Sequence, residues 1–155
     1  MKKFLLFLLF VPLLALTGCN DDNDLAEVDI TIELSGVSAV GDELYTVEGA
    51  TVSVDKLEVI SLTDQNATIQ RVEYFVDGHP LPINPENIFT TSFSTEGFRI
   101  GKHSLGLTGV VLQVDKTLTN IQTVFPLNVV ESEEDLPEGA TELGTVSLTV
   151  STKQS

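Results

Sequence analysis

The chain has 155 residues, 23 acidic against 8 basic side chains, and a formal net charge of −15. A surface this acidic repels phosphate backbones, which excludes nucleic-acid binding. A single cysteine excludes an internal disulfide, and the absence of tryptophan leaves aliphatic and phenylalanine packing to hold a core. At the N-terminus Lys2 and Lys3 precede an apolar run from Phe4 to Leu16. That is a charged n-region and an apolar stretch within the roughly 7–15 residues of a secretory signal. It falls short of the about 20 residues that span a bilayer.

The run ends in Leu16-Thr17-Gly18-Cys19, which resembles the lipobox of bacterial lipoproteins. The resemblance implies cleavage before Cys19, with residues 1–18 removed and the thiol carrying a diacylglyceryl group. Each buried methylene contributes about 0.8 kcal/mol, so several acyl chains hold a protein stably to a membrane. The next residues, Asn20, Asp21, Asp22, Asn23 and Asp24, resemble the acidic export signal of Bacteroidota surface lipoproteins. They imply an outer-membrane protein displayed on the cell surface. Read from composition alone, residues 19–27 are a solvated acidic tether.

From Val28 onward the pattern is that of strands. In "VDITIELS" Val28, Ile30, Ile32 and Leu34 alternate with polar residues, as a half-buried strand requires. "TVSLTVS" repeats this with Val146, Leu148 and Val150. Between them, β-branched runs are separated by turn signals at Gly41-Asp42, Asp64-Gln65-Asn66, Asp77-Gly78, Gly101-Lys102 and Asp115-Lys116. No window after Cys19 has helical periodicity. Residues 28–155 are therefore expected to form one all-β domain, a sandwich or barrel, with an acidic loop at 131–142 and a C-terminal strand. That strand has two places to go: beside "VDITIELS", or over a sheet edge.

In "VEYFVDGHPLP" Val72, Tyr74 and Val76 alternate into the Asp77-Gly78 turn. Later, Gly101, His103 and Leu105 open a long strand. This order resembles the bacterial immunoglobulin-like domains of cell-surface proteins, in which a Y-x-V-D-G strand precedes a G-x-H-x-L strand. The resemblance runs from about Val47 to Val130 and implies an immunoglobulin-like β-sandwich of about seven to nine strands. Phe89, Phe93 and Phe125 are the expected core aromatics. The fold leaves function open.

No sequence pattern marks a catalytic site or a cofactor. The two histidines, His79 and His103, read as solvated turn and edge residues, because neither has a convergent partner in sequence. Glu131, Glu133, Glu134, Asp135 and Glu138 form an acidic loop without the residue order of a calcium-binding loop. It reads as a solvated linker, so no metal is expected. Apolar residues on the second phase of two strands, Phe75 together with Leu112 and Val114, mark a candidate interface. The expectation is a non-enzymatic, lipid-anchored surface module held to the membrane by its lipid, with a protein or glycan partner in an adhesion or glycan-uptake system. The alternative is a fimbrillin-like pilus subunit. Proteolytic maturation near the first strand disfavours it, because the first basic residue after Cys19 is Lys56.

Overall fold

The computed structural model describes residues 28–61, 67–112, 118–140 and 142–151. The expected signal peptide, Cys19 and the expected acidic tether lie outside these residues, as do Val114 and the turn signals at 64–66 and 115–116.

The described chain is almost wholly β. The strands are β1 (Val28–Val40), β2 (Glu43–Val47), β3 (Thr51–Ser61), β4 (Thr68–Val76), β5 (His79–Pro80), β6 (Thr91–Ser94), β7 (Gly101–Leu112), β8 (Leu118–Val130) and β9 (Gly144–Ser151). Among the described residues, Glu133–Asp135 is a 3-10 turn and the remainder are turns and loops. The strands form one curled mixed sheet in the order β5-β4-β7-β8-β2-β1-β3-β6, with β9 added to β1. Every pairing is antiparallel except that of β2 with β8.

The curl originates in β1. Residues Val28 to Ser35 pair with β3 on one side, and Asp29 to Val37 pair with β9 on the other. Beyond Gly36 the same strand pairs with β2, from Ser38↔Tyr45 to Val40↔Glu43. Gly36 makes the change of partner with φ +77, a conformation that L side chains rarely adopt. Its carbonyl accepts the Thr46 hydroxyl at 2.8 Å, so the bend is also tied from within.

The alternation of the sequence is the alternation of the structure. Ile30, Ile32 and Leu34 are buried on β1, Val72, Tyr74 and Val76 on β4, and Leu105, Leu107 and Val111 on β7. The C-terminal strand takes the first of its two places, setting Val150, Leu148 and Val146 opposite Ile30, Ile32 and Leu34. Of the expected core aromatics, Phe125 is buried, whereas Phe89 and Phe93 are half-buried and pack against the core from its rim. The reason is their placement, in a loop and on the terminal strand β6. Tyr74 is the aromatic at the centre. Its hydroxyl donates to the Phe89 carbonyl at 2.7 Å, and burial pushes the phenol's pKa well up, which keeps the proton in place.

Two turn signals act as expected. Gly41-Asp42 joins β1 to β2, and Asp77-Gly78 makes a two-residue hairpin in which both residues have positive φ. Gly101-Lys102 does not make a turn. It starts β7, paired with Val129 and Asn128, and the chain reverses earlier at Glu96-Gly97.

Candidate functional site

The outer face of β4, β7 and β8 is where apolar side chains depart from the core phase. The register sets Phe75 opposite Gly106 on β7 and Pro80 on β5, and Gly106 opposite Val124 on β8. Val124 is 56% exposed. A side chain at position 106 would meet the Phe75 Cβ at 3.7 Å, ordinary contact, so the missing Cβ leaves a notch between Phe75 and Val124. The resulting cleft, of about 240 Å³, runs from Gly78 and Ser104 past Gly106 to Gln122 and Val124.

Leu112 shares this face but not this row. It lies six positions further along β7, opposite Thr68 and the exposed Leu118. At about 3.3 Å per residue that is about 20 Å away. The structure therefore separates Phe75 from Leu112, and Phe75 gathers instead with Pro80, Gly106 and Val124. Alternation in a sequence gives the face of a residue; only the register gives its row.

Phe75 is half-buried, so Phe75→Ser is expected to lower stability by about 1 kcal/mol, half the contribution of a fully buried large apolar side chain. A core phenylalanine would cost about 3–5 kcal/mol. The shift of the urea midpoint distinguishes the two, and a core-sized loss would mean that this face is covered.

At the upper end of the cleft stands a cluster that sequence reasoning placed in solvent. His79 is exposed as expected, but His103 is not a solvated edge residue: its side chain is only 12% exposed. The pairing of Val76 with Leu105 sets the Asp77 turn beside the start of β7. The imidazole Nδ1 lies 2.6 Å from Asp77 Oδ2, and Nε2 lies 2.7 Å from the Arg99 carbonyl. The Phe98 ring packs on the imidazole at a centroid distance of 5.1 Å. Asp77 Oδ1 also accepts the Ser104 N–H at 2.9 Å, and the Asp77 N–H donates to the Ser104 carbonyl at 3.0 Å.

Burial disfavours the imidazolium, but the Asp77 hydrogen bond, the Arg99 carbonyl and the Asp77 charge outweigh it and raise the His103 pKa. At Asp77, burial likewise opposes ionisation, and the bonds from His103 and Ser104 prevail and lower the pKa. An aspartate can orient a histidine as a general base, yet such a base needs a free ring nitrogen. Here Nε2 is already donating to a carbonyl. The cluster is built to hold two segments together.

Elsewhere, a wider groove of about 710 Å³ passes Arg71, Thr108, Asn120 and Gln122 towards Val150. Arg71 is paired within it to Glu73. The five carboxylates of the acidic loop are all exposed, and Asp135 is engaged locally by the Ser132 N–H and hydroxyl. Among the described residues no three histidine, cysteine or carboxylate groups converge as a metal cluster. No protein-family model and no curated protein matches the chain.

Proposed function

We propose that the protein is a non-enzymatic surface lipoprotein, in which an immunoglobulin-like β-sandwich is held at the outer membrane through Cys19 and serves as an interaction module of an adhesion or glycan-uptake assembly. The observation that carries the anchor is the sequence Leu16-Thr17-Gly18-Cys19, correctly placed behind the n-region and the apolar run. The acidic stretch Asn20 to Asp24 leads from it, within a few residues, into the first strand at Val28. Display on the outer face follows from the likeness of that stretch to a surface-export signal.

The strand order supports the sandwich. β5, β4, β7 and β8 run in the sequence that C′, C, F and G take in one immunoglobulin layer. β1, β3 and β6 group as A, B and E do in the other, and β9 is an addition beside β1. The half-buried Phe75 and exposed Val124 beside the Gly106 notch are the surface this reading assigns to a partner.

Cys19→Ser tests the anchor. The variant is expected to lose fatty-acid labelling, to keep its unprocessed size and to leave the acylated membrane fraction. A variant that still incorporates labelled palmitate and matures normally would end the lipoprotein reading.

A further inference from the structure

We propose that His103 is a proton-operated latch: as an imidazolium it clamps residues Phe98 to Ile100 to the β4–β5 turn, and as a neutral ring it lets them go. Nδ1 faces a carboxylate oxygen and Nε2 faces a backbone carbonyl, and both are acceptors. A neutral imidazole has one N–H and one lone pair, so it can serve one of these partners but not both. Both bonds exist together only while the ring carries two protons.

Which bond fails on deprotonation follows from strength. The Asp77 carboxylate is the stronger acceptor and holds the remaining proton on Nδ1. The Nε2 lone pair is then set against the Arg99 carbonyl oxygen, two acceptors that repel. In the segment that carries Arg99, Thr95 is fixed: it is buried, its N–H donates to the Ala50 carbonyl at 2.9 Å and its hydroxyl contacts the Val47 and Ala50 carbonyls at 2.7 and 3.0 Å. Beyond it the ties are the Glu96 N–H to the Ser94 hydroxyl at 3.1 Å, the Gly97 N–H to the Glu48 carboxylate at 2.9 Å and the Phe98 N–H to the Thr95 carbonyl at 3.0 Å, so what the latch can free is Phe98 to Ile100. Phe98 leans on His103 from one side and on Phe93, at 6.2 Å between centroids, from the other. Release of the segment would therefore expose a pair of aromatic rings.

The surroundings leave Asp77 in charge of the titration. From the β4–β5 turn the imidazole meets the Asp77 carboxylate, and from the β6–β7 loop the Arg99 carbonyl and the Phe98 ring. On β8 the residue opposite is the buried, apolar Leu127. The directions agree with the geometry. A raised imidazole pKa means that the stabilisation is complete below the ordinary value near 6.5 and is lost as pH rises through the folded value. The lowered Asp77 pKa sets the other limit, with loss as pH falls below the ordinary carboxylate value near 3.8.

The test is NMR on the full chain, with imidazole 15N shifts read across pH 5 to 9 together with hydrogen exchange corrected for intrinsic rates. Both ring nitrogens should be protonated at pH 5.5. Protection of the Phe98 amide should fall about tenfold as the ring titrates, the loss expected for one charge-assisted bond. Asp77→Asn removes the charge but keeps an acceptor for Ser104, and should move the transition to lower pH. His103→Gln should leave the Phe98 amide without any pH dependence. If His103→Gln does not fold, the shift in Asp77→Asn decides. A ring that is neutral at pH 5.5, or a Phe98 amide equally protected on both sides of the titration, overturns the latch.

Discussion

Gly36→Ala is expected to lower stability by about 3 kcal/mol or more, the largest loss among the described glycines. Two costs combine. A non-glycine residue in the left-handed region costs about 1–2 kcal/mol. In addition, a Cβ at position 36 would stand 2.0 Å from the Thr51 carbonyl oxygen, which is backbone and cannot swing aside. Forcing matter into a packed site typically costs a further 1–3 kcal/mol. The damage would fall on the residue at which β1 passes from β3 and β9 to β2, so both regions of the sheet lose alignment together. Gly41→Ala is the control. Gly41 has φ +62 but open space around its Cβ position, so it carries the first cost without the second. Urea melts of the two variants should differ by about 2 kcal/mol, and equal midpoints would show that β1 can shift away from Thr51 freely.

The faces of this fold were readable in the sequence because each long strand states its phase. Val72, Tyr74 and Val76 name the inner side of β4 without ambiguity, as Ile30, Ile32 and Leu34 do for β1. Register is a different quantity. It depends on how many residues the chain takes up between paired strands, and the stretch from Asp77 to Ile100 that joins β4 to β7 gives no sign in its hydrophobic pattern of the offset it imposes. That is why Phe75 and Leu112 read as neighbours although six positions of β7 separate their rows. Gly101 misled for a related reason: a glycine before a charged residue reads as a turn, whereas here the reversal belongs to Glu96-Gly97.

The His103 cluster was hidden for want of that same register. Asp77 and His103 are 26 residues apart, and only the opposition of Val76 to Leu105 brings their side chains together. The signal was present in another form. The two fragments that carry the immunoglobulin-like resemblance, Tyr74 to Gly78 and Gly101 to Leu105, contain the aspartate of one half of the clamp and the histidine of the other. Reading them as a pair rather than as two strand markers would have predicted the contact. The proposed anchor at Cys19 is the opposite case, a reading that needs no register because it rests on a contiguous stretch of sequence.

A chain ending before Gly144 is expected to lose about 3 kcal/mol of stability and to associate. β9 contributes three half-buried apolar side chains, Val146, Leu148 and Val150, each worth about 1 kcal/mol at that degree of burial. It also occupies one whole edge of β1, from Asp29↔Ser151 to Val37↔Gly144, and adds the hydroxyl contact of Thr31 with Thr149 at 3.0 Å. Without it, β1 would present a long edge of unpaired N–H and carbonyl groups, a template for another chain. The strand exposed in this way is also the first after the proposed lipid tether. Any pull from the membrane would enter at Val28 and be resisted in shear by the β3 and β9 ladders together, so the addition of β9 doubles the number of ladders that share the load. The truncated chain should therefore show a lower urea midpoint and elute as a dimer or larger species, and a peptide spanning residues 144–151 added in trans should restore the monomer. A truncated chain that stays monomeric with an unchanged midpoint would mean that β9 guards nothing, and that the β3 and β2 ladders suffice to hold β1.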